Sequence, residues 1–223
     1  NQSAVKITTA LITHINNPKV KDIENLKFEG QVTYRTIMEN PYPDIYSDSV
    51  YKEEVLKPVF GDRGYMLQSY SYKESKFISK TSTDLEEGYE LFVPDENRIY
   101  SWKQGSKEFV VKATDSHPNY DSFVQINETD KVDTILNIPC NHIIVESRMG
   151  MIEIWYNSNY LKIDFMDYSN FKLEHKNQIL KKIGCLPLKI KNNNIISEVI
   201  DFESTSIPDS LFILPEYNTL YEK

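Results

Sequence analysis

The sequence predicts a mainly β, α+β fold: a curved antiparallel sheet forming an incomplete β-barrel, covered by an N-terminal helix and by a second helix near residues 170–183. Three observations predict it. From Leu26 to Phe202 extended segments follow one another with side-chain character alternating every second residue. Met151, Glu153 and Trp155, for example, share one strand face, and Ile152, Ile154 and Tyr156 share the other. Short clusters suited to tight reversal separate the segments, which requires antiparallel neighbours, and only two stretches repeat at helical spacing.

Each element has its own signal. Ser3 to Asn16 places Ala4, Thr8, Leu11, Ile12 and Ile15 on one helical stripe, with Ser3 as N-cap and Asn16-Asn17-Pro18 as the stop. Such a stripe needs a surface to cover, and the concave side of a curved sheet supplies one. Strand-like runs follow at Leu26–Met38, Ser49–Lys57, Tyr65–Tyr72, Phe77–Thr83, Tyr89–Val93, Arg98–Lys103 and Lys107–Thr114. Gly61-Asp62-Arg63-Gly64, Glu87-Gly88, Pro94-Asp95-Glu96-Asn97 and Gln104-Gly105-Ser106 mark reversals between them. Asp115 to Asp130 interrupts the meander and has no assigned element. Further strands are expected at Lys131–Ile138, Asn141–Ser147, Met151–Tyr156 and Tyr160–Asp164. The second helix, from about Asn170 to Ile183, repeats Phe171, His175, Ile179 and Ile183, with Gly184 as its C-terminal cap. Leu186–Lys191 and Ile195–Phe202, turned by Asn192-Asn193-Asn194, finish the sheet before a Pro-punctuated tail.

The 223 residues read as a single domain, 1–223, and with 40% hydrophobic residues they suffice for a core without metals. A net charge of −8, from 25 Lys plus Arg against 33 Asp plus Glu, opposes attraction to phosphate backbones, so no nucleic-acid partner is expected. No apolar run approaches the roughly 18 residues of a transmembrane helix. The chain starts at Asn1 rather than Met, which fits a removed signal peptide or a cut boundary; the first reading gives a periplasmic or secreted protein.

Chemistry-bearing clusters are scarce. His14, His117, His142 and His175 are far apart and form no metal motif, and with 7 glycines the chain has no phosphate loop, so neither metal nor cofactor is expected. Cys140 and His142 would project to the same strand face, but a disulfide cysteine beside a surface histidine explains them without catalysis. Glu53-Glu54 and Glu86-Glu87 read as solvated edge charge. No catalytic residues are assigned. Cys140 and Cys185 either pair or remain separate buried thiols; in an oxidising compartment a bridge would close a loop of about 46 residues and add roughly 4 kcal/mol on the chain-entropy model.

Aromatic residues carry the functional signal. Tyr34, Tyr51, Tyr65, Tyr70, Tyr72, Tyr89, Tyr100, Trp102 and Trp155 lie in the strand runs and combine apolar bodies with polar tips, although β-propensity alone also draws aromatics there. Tyr34, Leu67, Leu91, Trp102 and Trp155 are the candidate lining of an apolar cavity.

Four segments carry a family resemblance: KVDTILNIPCNHIIVES at 131–147, EIWYN at 153–157, KKIGCLPLKI at 181–190 and SIPDSLFILPEY at 206–217. Together they resemble the uncharacterised envelope proteins of the LolA-like outer-membrane lipoprotein carrier superfamily. Cys185 stands where that family usually shows a second Gly before Leu-Pro-Leu, which favours the bridge to Cys140. The resemblance implies an incompletely closed barrel under helices, with a hydrophobic cavity that in the best-known members receives lipoprotein acyl chains. The expected function is therefore a non-enzymatic periplasmic or secreted binding protein whose partner is a hydrophobic small molecule or acyl chain, held between sheet and helices. The alternative is an envelope protein–protein interaction module with a self-filled cavity, associated with thioredoxin-like partners. An enzyme ranks third.

Overall fold

A computed structural model describes residues 27–115, 124–148 and 150–222. The helix expected at Ser3–Asn16 lies outside the described residues. The twelve strands of the described residues are β1 (Gly30–Met38), β2 (Met66–Lys73), β3 (Lys76–Ser82), β4 (Glu87–Val93), β5 (Arg98–Lys103), β6 (Glu108–Ala113), β7 (Gln125–Ile135), β8 (Ile138–Ser147), β9 (Gly150–Tyr156), β10 (Lys189–Asn192), β11 (Ile195–Ser204) and β12 (Thr219–Glu222). They form one large curved sheet that does not close, in the order β12-β6-β5-β4-β3-β2-β1-β11-β10-β9-β8-β7. Neighbours are antiparallel except β12, which runs parallel to β6.

The order records two meanders. The first runs outward from β1 to β6; the second starts at the far edge with β7 and returns, so that β11 pairs with β1. Strand twist curves such a sheet, and the register shifts at Thr33/Tyr34 and between Thr129 and Asp133 add local bends. The β7–β8 reversal is a two-residue turn with both Leu136 (φ 52°) and Asn137 (φ 63°) left-handed, the geometry that matches strand twist.

Alternation fixes the core. On β1, Val32, Tyr34 and Thr36 are buried while Gln31 and Arg35 are exposed. Tyr72, Phe77, Phe92 and Phe171 continue this layer as packed rings, with centroids 5.4 Å apart for Phe77–Phe92 and 5.0 Å for Phe92–Phe171. Such edge and stacked pairs contribute about 0.5–1.5 kcal/mol each beyond their buried area.

Several expected elements differ. Ser49–Lys57 is helical rather than extended: α1 (Asp48–Tyr51), a π-helical turn (Lys52–Leu56) and α2 (Lys57–Phe60) form one continuous stretch ending at Gly61. Its two inward anchors, Tyr51 and Phe60, are helix-borne, and Gly61 takes the positive φ of 82° needed to leave the helix. Tyr160–Asp164 contributes only the single bridge Lys162–Cys185, because Leu161 at φ 49° leaves the extended region. The second helix is shorter than 170–183. Glu174 and His175 have positive φ, so α3 covers Lys176–Ile183, preceded by 3-10 turns at Phe165–Tyr168 and Leu173–His175. The interval Asp115–Asp130, which has no element signal of its own, supplies the start of β7, and the tail adds β12.

Gly30 tests the seam between the meanders. A Cβ there would lie 2.0 Å from the Glu203 carbonyl oxygen and 2.9 Å from Ser204 Cα, and φ is +154°. Gly30→Ala should therefore destabilise by roughly 2–3 kcal/mol in urea denaturation. A loss below about 0.5 kcal/mol would contradict this packing of β1 on β11.

Candidate functional site

The sheet face under α3 borders an open-sided cavity of about 370 Å³. Its floor is built by register. Tyr34 lies opposite Gln68 and Val199, Ile190 opposite Ile154 and Ser197, and Asn192 opposite Ile152 and Ile195. Directly paired residues point to the same side, so one face of β2, β1, β11, β10 and β9 presents Gln68, Tyr70, Tyr72, Tyr34, Ser197, Ile195, Ile190, Asn192, Ile152 and Ile154. The roof is Ile179 and Leu180 of α3, with Glu174 and Lys176 at its N-terminal end and Pro187 beyond its C-terminal end.

α3 is held by its apolar stripe. Ile179 and Ile183 pack with Ile143 and Val145 of β8 and with Ile154 and Tyr156 of β9, while Leu180 joins the aromatic core. The Tyr34 hydroxyl donates to the Pro187 carbonyl at 2.7 Å, and burial pushes this phenol far above its usual pKa. The ring layer is tight beside it, with Tyr34–Tyr70 centroids at 5.7 Å and Tyr70–Tyr72 at 5.6 Å. Thr36 and Ser197 hydroxyls meet at 2.8 Å. The walls are thus mostly aliphatic and aromatic, with hydroxyls and amides at set points.

Of the candidate lining residues, Tyr34 lines the cavity and Leu67, Leu91, Trp102 and Trp155 do not. Parity explains two of these: Leu67 adjoins Gln68 on β2, and Trp155 adjoins Ile154 on β9, so each faces the opposite side. Leu91 is packed inside β4, and Trp102 on β5 is stacked between Tyr89 (5.5 Å) and Phe109 (4.9 Å), both away from the cavity strands. Tyr70 and Tyr72, singled out as strand aromatics, do line it. Lys176 and Glu174 line it without any mark in the sequence.

No protein-family model and no curated protein matches the chain. Among solved structures it is similar to PNGF-II in two crystal forms, with TM-scores of 0.45 and 0.46 and identities of 13% and 14%. Those matches cover 88% of this chain and 31% of theirs, so the chain spans about a third of the PNGF-II length. It is also similar to an uncharacterized conserved protein from Thermus thermophilus, with a TM-score of 0.50 and 9% identity over 97% of this chain and 99% of that one. This end-to-end likeness shows the fold alone.

Elsewhere the titratable groups that the sequence singles out lie in packed clusters, hydrogen bonds and ion pairs. Cys140 and Cys185 are free and buried, in place of the bridge, and they sit in separate apolar clusters. Cys140 donates to the Ile138 carbonyl at 3.3 Å, and burial pushes both thiols up, that of Cys185 to about 12. Neither is a thiolate nucleophile near neutral pH. His142 turns instead to Thr129 (Nδ1 to Oγ1, 2.6 Å) and Glu153 (Nε2 to Oε2, 3.2 Å) and packs on Trp155 with ring centroids 4.4 Å apart. Among the described residues no group of three His, Cys, Asp or Glu is arranged to hold a metal. His14 and His117 lie outside the described residues. Glu86 and Glu87 pair with Lys103 and Lys80, but they stand at the start of β4, an interior strand, rather than on the expected sheet edge.

His142 gives stability a defined pH dependence. Burial holds its pKa below the usual 6.5, against the pull of Glu153, so the native chain binds fewer protons than the unfolded one. The stabilisation is complete above about pH 6.5 and is lost as pH falls through the native value. Lys131 holds Glu153 below its usual 4.5, which adds a further loss at lower pH. The urea midpoint should decline between about pH 7 and pH 5, and His142→Gln should flatten that decline. An unchanged slope in the variant would assign the decline to another group.

Proposed function

We propose that the protein is a non-enzymatic binding protein that takes an apolar ligand, a lipid or lipoprotein acyl chain, between its curved sheet and α3, and that it works in the periplasm or after secretion. One observation carries the reading: the cavity of about 370 Å³ whose walls combine Ile152, Ile154, Ile179, Leu180, Ile190 and Ile195 with Tyr34, Tyr70 and Tyr72. Its volume is within the range of about 300–1,000 Å³ typical of small-molecule pockets. Apolar ligand surface buried there would gain roughly 25 cal/mol per Å² before the costs of association. The likeness of 131–217 to LolA-like envelope proteins supports the same ligand class. No helix among the described residues is long and apolar enough to cross a membrane.

A second reading is an envelope interaction module, and one observation favours it. Among the described residues β7 is an edge strand, and Val132, within its bulge, is 84% exposed, an apolar side chain open to a partner.

Uptake of a fluorescent fatty acid should saturate at one site per chain, and native mass spectrometry of the purified protein should show bound lipid. Ile190→Trp, which fills the floor, should weaken uptake by at least about tenfold, a change of about 1.4 kcal/mol. Absence of both co-purified lipid and saturable uptake would end the apolar-ligand reading and leave the edge-strand reading standing.

A further inference from the structure

We propose that the cavity selects an amphiphile with a single carboxylate head, and that the Lys176 ammonium, with the Tyr70 hydroxyl beside it, receives that head while the alkyl chain lies over Ile179, Leu180 and Ile190. The inference rests on the reading of the cavity as an apolar-ligand site.

Lys176 is the first residue of α3 and borders the cavity. Its Nζ lies 5.1 Å from the ring centroid of Phe77 and 4.9 Å from that of Phe171. Burial lowers its pKa, and Glu174 and Glu90 oppose that shift through space, without a hydrogen bond. An ammonium facing two aromatic rings is partly compensated by their negative faces, and its strongest remaining need is an anion.

The same molecule contains the completed form of this arrangement. Lys189 Nζ lies 4.9 Å over the Trp155 ring, and there it also meets Asp133 at 2.9 Å and Glu198 at 3.4 Å. With these carboxylates in place its pKa is raised in spite of desolvation. Lys27, Lys57, Lys73 and Lys80 likewise each hold a carboxylate and are raised. Lys176 has the aromatic support of Lys189, and among the described residues no carboxylate hydrogen-bonds to it. A ligand carboxylate would complete the same set.

Tyr70 stands at the same end. Its ring is 5.6 Å from that of Phe77, the ring that also faces Lys176, and the same two carboxylates, Glu90 and Glu174, act on its hydroxyl. Burial keeps this phenol protonated and so a donor. Glu90 and Glu174 also set a limit: their negative field disfavours a doubly charged head, which selects a monocarboxylate over a phosphate ester.

The test is isothermal titration of the whole chain with dodecanoate, 1-dodecanol and dodecylammonium at pH 7. Dodecanoate should bind about tenfold more tightly than dodecanol, as a charge-assisted hydrogen bond provides. Lys176→Met should bring the ratio of dodecanoate to dodecanol affinity from about tenfold to about one, and Lys176→Arg should retain most of the preference. In the wild type the preference should fade as pH rises towards the ordinary lysine range, since the ammonium deprotonates below its usual 10.5. Equal binding of dodecanoate and dodecanol, or tighter binding of dodecylammonium, would overturn the headgroup assignment while the cavity reading survives. Failure of all three to bind would overturn both.

Discussion

The pairing of β11 with β1 is the constraint on which the molecule depends. β1 to β6 form one meander and β7 to β11 another, and within the described residues this seam is where the two sheets become one. Its residues are about 160 positions apart in sequence, so the chain must close a long loop before the ladder can repay the cost. Val32 and Val199 are fully enclosed there, Thr36 meets Ser197, and both ends are fastened: Glu39 and Asn194 exchange hydrogen bonds, and Glu29 accepts from Thr205 and Ile207. The cavity floor straddles this seam. Displacing it by one residue would turn Tyr34 out of the floor and Arg35 into it.

Charge is organised by the same curvature. Outside the cavity the lysines of β10 are neutralised locally: Lys189 by Asp133 and Glu198, Lys191 by Glu39 at 2.7 Å. Exposed pairs of this kind contribute little singly, but they leave no strong field on that face. At the α3 end of the cavity the balance differs, because Lys176 faces two rings and feels Glu174 and Glu90 only through space, where Lys189 faces a ring and is in direct contact with two carboxylates. Placement of that ammonium follows from the abrupt start of α3, where Glu174 and His175 take left-handed conformations and turn the chain down onto Phe77.

Much of this fold was legible from period-two alternation. β4, β5, β6 and β9 fall within two residues of their expected bounds, because their strands alternate cleanly between turn residues. Asp48–Phe60 was not legible as helix. Val50, Tyr51, Val55, Leu56, Val59 and Phe60 are apolar residues in adjacent pairs, mostly β-formers, and the π-helical turn sets Tyr51 and Phe60 at a spacing that no 3.6-residue period produces. The β7–β8 turn was hidden by Leu136, a residue without turn chemistry. For the cavity, Tyr34, Tyr70 and Tyr72 carried a signal and the sides of Leu67 and Trp155 did not. The side a strand residue faces depends on which partner it registers with, and β1 registers with β11 from the far end of the chain. Lys176 had no local mark at all: a lysine on an amphipathic helix reads as solvated until Phe77, about a hundred residues earlier, is brought beneath it.

The empty space itself follows from dimensions. An eight-residue helix rises about 12 Å, whereas the five strands beneath the cavity, spaced about 4.8 Å apart, span about 19 Å from the first to the last. α3 is pulled to one side of that span, because Ile179 and Ile183 are committed to the β8–β9 face. On the other side Tyr72, Phe77, Phe92 and Phe171 fill the interior with their own rings. Between these two regions lie β1, β11 and β10: Val32, Tyr34 and Val199 are buried in the same cluster as those rings, while Ile190, Ile195 and Ser197 border open space. The Tyr34 hydroxyl is tied to the Pro187 carbonyl, and Ile190, Ile195 and Ser197 line the space that remains. The left-handed residues at 174 and 175 make α3 begin at Lys176, so the helix contributes only Lys176, Ile179 and Leu180 to the cavity wall.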